Sequence, residues 1–140
     1  MADTLLSPRD MVKRVQQSSL GDIDTESFPS LLADDAIVEW PYFPGGGSKR
    51  LEGAAAVREF LSALPTSGPP VRFESIGDTI VHDTTDPEVV IAEYDVHGVS
   101  TASGAALTQR VVLVLRVRGG RIVSMRDYVN PLVLMNAAQK

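Results

Sequence analysis

The sequence predicts an α+β fold, in which a curved, mostly antiparallel sheet wraps around N-terminal helices. Helical patterns occupy the first half of the chain, and four long strand-like runs, at about 71–82, 88–99, 106–118 and 121–130, occupy the second. The last two runs are separated only by Gly119-Gly120, a two-residue hairpin signal, so they are expected to pair antiparallel. Helices followed by a meander of strands are the pattern of an α+β domain. At 140 residues, with no internal repeat and no long linker, the chain reads as one domain spanning 1–140.

The elements follow in order. Ser7 before Pro8 is an N-cap followed by proline at the first helical position, and Met11, Val12, Val15 and Leu20 make an apolar stripe, predicting a helix over 8–20. A short helix is expected from Glu26 to Ala33, begun near Thr25, and then a short strand from Ala36 to Trp40 stopped by Pro41. The glycines of 44–50 read as a flexible loop; no GK[ST] follows them, so they are not a phosphate cradle. Ala54 to Leu64 is a second helix, closed by Pro65.

Within 106–118 the odd positions Val111, Leu113, Leu115 and Val117 are apolar while Thr108, Arg110, Arg116 and Arg118 are even, so the odd face is the inner one, with Gln109 as its polar exception. In the last strand, alternation puts Asp127 on the same face as Val123, Met125 and Val129. A carboxylate on an apolar face must be paired, hydrogen-bonded, solvated in a cavity or held neutral, and the last two suit proton transfer. Strand 88–99 has two readings. Glu93, Asp95 and His97 alternate against Ala92, Tyr94 and Val96; the charged face either meets solvent or lines a cavity together with Asp127, which would gather acid, base and hydrogen-bonding partner in one place. Glu93, Asp95, His97 and Asp127 could also be read as metal ligands, but alternation along one strand is not a ligand spacing, and no metal site is expected. His82 stands outside any such constellation.

Composition narrows the class. A chain with 44% hydrophobic and 22% charged residues and no apolar run near the roughly 20 residues of a membrane span is ordinary globular material. The N-terminus lacks the basic start, apolar stretch and cleavage site of a signal peptide, so a cytoplasmic location is expected. There is no cysteine, hence no disulfide and no thiolate nucleophile. A net charge of -5 argues against a nucleic-acid partner, since such proteins carry basic patches.

The order of helix, strand ending in Val38-Glu-Trp-Pro41, glycine loop, the helix of Leu51-Glu-Gly-Ala-Ala-Ala-Val-Arg-Glu-Phe-Leu61, long strands and the closing Gly120-Arg-Ile-Val-Ser-Met-Arg-Asp-Tyr-Val-Asn-Pro131 resembles the SnoaL-like polyketide cyclases, members of the nuclear-transport-factor-2-like superfamily. The resemblance implies a cone-shaped α+β barrel enclosing an apolar pocket without cofactors. It also implies a homodimer through the outer sheet face, here Arg110, Val112, Val114 and Tyr128. The aspartate of the Arg-Asp-Tyr motif is a general acid or base in these cyclases and in limonene epoxide hydrolase, and Asp127 matches it. The hydrolase's Arg-x-Asp pair corresponds to Glu93-Tyr94-Asp95, with glutamate in place of arginine, and Ile37 and Glu39 stand where it has tyrosine and asparagine. Its water-activating set is therefore incomplete. Ketosteroid isomerase, whose tuned carboxylates are a known pattern, places its proton-shuttling aspartate where this chain has Trp40, with Glu39 pointing to the other side of the strand.

These readings converge on a small apolar organic ligand and cofactor-free acid/base proton transfer of cyclase, isomerase or dehydratase type. Asp127, Asp95 and His97 are the expected catalytic groups. Trp40, Tyr42, Phe60, Glu93, Gln109, Val111, Met125 and Val129 are the expected substrate-binding wall. The competing reading is a non-catalytic ligand-binding or dimerisation module of the same fold.

Overall fold

A computed structural model describes residues 5–22, 24–67 and 70–138. The first helix, α1, runs Pro8–Ser18; the Ser7 hydroxyl accepts from the Asp10 N–H at 3.1 Å, and Met11, Val12 and Val15 are buried. It stops short of Leu20. The Ser18 and Ser19 hydroxyls donate to the carbonyls of Val15 and Gln16, each at 2.7 Å, and such local bonds compete with further helix.

The helix expected over 26–33 is reduced to a 3-10 turn, Pro29–Leu31. Strand β1 spans Leu32–Trp40 rather than starting at Ala36, because Leu32 is already paired with Ile122 of the last strand. Long-range pairing overrides the local helical pattern here. The glycine loop is shorter than expected, since Lys49–Glu52 form β2, antiparallel to β1. Helix α2 spans Ala54–Ser67, so Pro65 falls inside its last turn instead of ending it. So close to a helix end a proline removes one hydrogen bond without interrupting a long ladder.

The meander β3 (Val71–Asp83), β4 (Val89–Ser100), β5 (Ala106–Arg118) and β6 (Arg121–Val129) follows the sequence pattern to within a residue or two. Gly119 and Gly120 both have positive φ, +60° and +73°, the mirror-image turn that suits the twist of a hairpin. The chain ends its described part with α3, Pro131–Ala138, which the sequence reading did not anticipate. Its signal was present: Asn130 precedes Pro131, and the Asn130 side-chain oxygen accepts from the Leu132 N–H at 3.0 Å.

The strands form one curved sheet in the order β2-β1-β6-β5-β4-β3, open at both edges rather than closed into a barrel. All neighbours are antiparallel except β1 and β6. Bulges in β3, one of them around Asp78 at φ +54°, bend its pairing with β4. Helix α1 packs on β4 and β5, α2 on β1 and β2, and α3 on β5. The inner face of β5 is the odd one, with Val111, Leu113, Leu115 and Val117 buried. The pattern slips by one residue in β6, where Val117 pairs with Ile122 and Arg116 with Ser124. Val123 is the extra residue of this irregularity, and Ile122 takes the core place, fully buried, while Met125 and Asp127 resume the inner alternation. Among the described residues no helix is long and apolar enough to cross a membrane.

Candidate active site

The parallel pairing of β1 with β6 builds the centre of the site. Val38 is opposite Met125 and Glu39 opposite Arg126, which carries the end of β1 to the level of Asp127. The Trp40 indole N–H donates to Asp127 Oδ2 at 3.1 Å. The other carboxylate oxygen, Oδ1, is buried and accepts no hydrogen bond. Burial pushes the Asp127 carboxyl from its ordinary 3.8 up to about 6, against the opposing effect of the Trp40 hydrogen bond. At pH 7 the group is mostly ionised, yet its proton is within easy reach, which suits a general acid or base.

Asp127 borders a cavity of about 330 Å³, within the range of small-ligand sites. The wall is largely hydrocarbon and aromatic. Trp40 and Phe60 lie 5.4 Å apart between ring centroids, and Phe43 stands 6.4 Å from Trp40 and 6.2 Å from Phe60. Val111, Met125 and Val129 line it from β5 and β6, Phe73 and Tyr94 from β3 and β4, and Leu134 from α3. Burial, followed by the nearby Asp127 charge, drives the Tyr94 hydroxyl well above the ordinary range, so it remains an O–H donor at any working pH. Tyr94 and Asp127 are on strands two apart, β4 and β6, a backbone separation of about 10 Å, and both line the cavity.

Of the expected site residues, Asp127, Trp40, Phe60, Gln109, Val111, Met125 and Val129 meet at this cavity. Gln109 does so in a different role. Its Nε2 donates to the Asn130 carbonyl and its Oε1 accepts from the Asn130 N–H, both at 2.9 Å, so its amide pins the junction of β6 and α3.

Asp95, His97 and Glu93 do not reach the cavity. Ala92, Tyr94 and Val96 are the inward residues of β4, and the charged alternates point to the outer face of the sheet. There Asp95 pairs across the strands with Arg110, Oδ1 to Nη1 at 3.4 Å, and His97 Nδ1 is 3.0 Å from the Thr108 hydroxyl. Glu93 Oε2 is 2.7 Å from Nε2 of His82, which thus has a partner after all. The expected convergence of two carboxylates and an imidazole on Asp127 fails by strand parity: residues an odd number apart cannot share a face of a regular strand, and Tyr94 claims the inner one. The metal-ligand set that included all four is separated in the same way. Among the described residues no cluster of three or more His, Asp and Glu is placed to hold an ion. Tyr42 is also outside, 57% exposed, with its ring 5.9 Å from that of Tyr128; Phe43, the next residue, takes the wall position expected for it.

The sequence reading missed Tyr94 and Phe43. Tyr94 carried a signal in its alternation with Ala92 and Val96, two residues suited to a core face. Phe43 follows Pro41 in an irregular segment, where no period tells inside from outside.

Comparison with known proteins agrees with this architecture. The SnoaL-like domain profile matches residues 13–125. The uncharacterized protein YesE of Bacillus subtilis (strain 168) is 35% identical over 114 residues, 81% of this chain and 76% of that protein. The uncharacterized PhzA/B-like protein PA3332 of Pseudomonas aeruginosa is 35% identical over 109 residues, 78% of this chain and 74% of its own length. A crystal structure of a candidate isomerase from Bacillus subtilis superposes with a TM-score of 0.79 at 32% identity, covering 93% of this chain and 91% of that one. By profile, relatives and architecture together, the chain belongs to the SnoaL-like domain family.

Proposed function

We propose that this protein is a cofactor-free enzyme in which Asp127 moves a proton on a small, mostly apolar organic substrate held in the cavity. The observation that carries the reading is the place of Asp127 among the residues lining a largely apolar and aromatic cavity, with its Oδ2 held by the Trp40 N–H and its Oδ1 buried without a hydrogen-bond partner; burial pushes this carboxyl up to about 6. A carboxyl with one buried oxygen lacking a partner costs stability, and one kept beside a ligand-sized space has a use there. In the simplest step, the carboxylate takes a proton from a carbon next to a carbonyl and the C–H electron pair moves toward the carbonyl oxygen. The Tyr94 hydroxyl is the donor available to that oxygen. Return of the proton at another carbon gives an isomer; attack of the carbanion on a second carbonyl of the same molecule gives a ring.

This assigns catalysis to Asp127 and Tyr94, without Asp95 or His97. It is tested by following deuterium incorporation from D₂O into a panel of apolar ketones by proton NMR. Asp127→Asn is expected to slow exchange of any active ketone by at least about 100-fold, the low end for loss of a general base. Unchanged exchange in that variant would reject the assignment. The alternative of a binding module is favoured by the presence of one carboxylate without a second proton-transfer acid or base deep in the wall, and it predicts binding with no exchange at all.

The outer face of the sheet, with Val112 37% exposed between Arg110, Val114 and Tyr128, is proposed as the homodimer surface, to be checked by light scattering. Val112→Glu is expected to give a monomer.

A further inference from the structure

The charged side chains that line the cavity among the described residues are all acidic. Among the described residues that line it, the acids are Asp22, Asp24 and Asp127, and none is lysine, arginine or histidine. Asp22 is offset by an ion pair with Arg72, which does not line the cavity. Asp24 lies at the rim, where hydrogen bonds from the Ser27 hydroxyl and the Glu26 N–H hold its carboxyl below the ordinary value, so it stays ionised. Deeper in, Asp127 has one oxygen without a hydrogen-bond partner. Its other oxygen accepts from the Trp40 N–H of β1, and Tyr94 of β4 lines the same cavity; neither brings a positive charge.

The other half of the wall is a set of ring faces. Trp40, Phe43 and Phe60 form a contiguous aromatic group, and such faces attract cations through the ring quadrupole. The protein already uses one of them in this way: the Lys49 ammonium stands 5.4 Å from the centroid of Phe60, although Lys49 does not line the cavity. Among the described lining residues an anion meets Asp24 and Asp127, neither in an ion pair, and no basic side chain. A neutral molecule gains apolar burial only. A cation gains that burial, the ring faces and the Asp127 carboxylate.

We propose that the ligand of this cavity is a lipophilic amine in its cationic form, with its nitrogen against Asp127 and the aromatic group and its apolar body against Val111, Met125 and Val129. The proposal rests on the proposed function only for the identity of the site, and concerns what binds there rather than the proton-transfer step.

Trp40 is the sole tryptophan and stands in the wall, so its fluorescence reports occupancy without a label. The probes are benzyltrimethylammonium, its uncharged isostere neopentylbenzene, and the anion 3-phenylpropanoate, each titrated at pH 7.5 into the unmodified protein. The expected result is a Kd for the cation at least about tenfold below that of the isostere, a modest demand on a charge pair added to ring contacts. No saturable change is expected with the anion. Asp127→Asn is expected to bring cation and isostere to similar Kd values while the isostere still binds. A cation bound no better than its isostere, an anion bound as well as either, or no binding by any probe overturns the proposal. The two readings fail separately. Equal binding of cation and isostere alongside deuterium exchange that needs Asp127 sinks the amine and leaves proton transfer standing; cation preference with exchange indifferent to Asp127 does the reverse.

Discussion

Asp127→Asn is expected to change the pH dependence of stability in a way that no other substitution at the site does. In the folded protein the carboxyl sits at about 6, against an ordinary 3.8 in the unfolded chain. The folded state therefore prefers the protonated form. The stability this group contributes is fully present below 3.8 and is lost as pH rises through about 6. At about 1.4 kcal/mol per tenfold difference in proton affinity, the full loss is about 3 kcal/mol, and the portion falling between pH 4 and pH 8 is about 2–3 kcal/mol. Asparagine keeps an oxygen to accept the Trp40 N–H and cannot ionise. Its own buried amide donors carry a fixed penalty of about 1–3 kcal/mol if they find no partner, but that penalty does not vary with pH. Urea unfolding of both proteins across this range, with linear extrapolation to water, isolates the effect because all other titrating groups cancel in the difference. The stability of the variant relative to the parent should rise by about 2–3 kcal/mol from pH 4 to pH 8. A flat difference would mean that Asp127 is not held in a desolvated place, and the argument for its chemistry would go with it.

Other perturbations give independent checks. Trp40→Phe removes the one hydrogen bond that lowers the Asp127 pKa, so the limb of the pH–rate profile that depends on the ionised carboxylate should move to higher pH; an unmoved limb would detach Trp40 from the titration. Gln109→Leu frees the Asn130 backbone from its two side-chain hydrogen bonds and should cost about 1–2 kcal/mol, with faster amide exchange at Asn130 and along α3 as the readout. Gly98→Ala should be strongly destabilising, by about 1–3 kcal/mol or more, because its added Cβ falls 2.4 Å from the Arg72 carbonyl on the paired strand; thermal denaturation measures it. Glu88, held down to about 2 by hydrogen bonds from Arg118 and Arg116, adds stability above pH 4.5 that fades as pH falls through about 2; Glu88→Gln should weaken the fold at neutral pH and converge with the parent in acid.

The sequence was most informative where one period ran uninterrupted and one face was buried. Strand β5 is the clear case: Val111, Leu113, Leu115 and Val117 set against Thr108, Arg110, Arg116 and Arg118 marked its inner face, and the same rule put Asp127 on the inner face of β6. The rule weakens at bulges. The irregularity around Val123 shifts the inner set to Ile122 on one side and keeps Met125 and Asp127 on the other, and only the observed pairing with β5 reveals where the count slips. It is silent where chain period is absent, as in Pro41–Pro44, which decides whether Tyr42 or Phe43 enters the cavity. The 3-10 turn that replaced a helix after Phe28 has the same origin, because the partner that claimed Leu32 lies 90 residues away in sequence.

Strand β4 shows why the chemistry was harder to read than the fold. Both faces of a strand in a sheet of this kind can carry polar groups: the inner one because it borders a cavity, the outer one because it borders solvent or a partner. Glu93, Asp95 and His97 looked like a catalytic set because acids and an imidazole stood in step, but stepping in register says only that they share a side. What separates the sides is the apolar alternate set. Ala92 and Val96 have no reason to face water, and Tyr94 between them goes with them, as its burial shows. Read that way, β4 contributes a hydroxyl to the site and places its charges outside, where Arg110, Thr108 and His82 receive them. The outcome is a cavity with one carboxyl raised by burial, acids at Asp22 and Asp24, the neutral donors of Trp40 and Tyr94, and aromatic faces. Such a site lacks the epoxide-hydrolase water-activating set, and the proposed roles ask of it only that it move one proton and prefer positive charge over negative. On that proposal its selectivity rests on the sign of the field around Asp127, which the cationic, neutral and anionic probes measure directly.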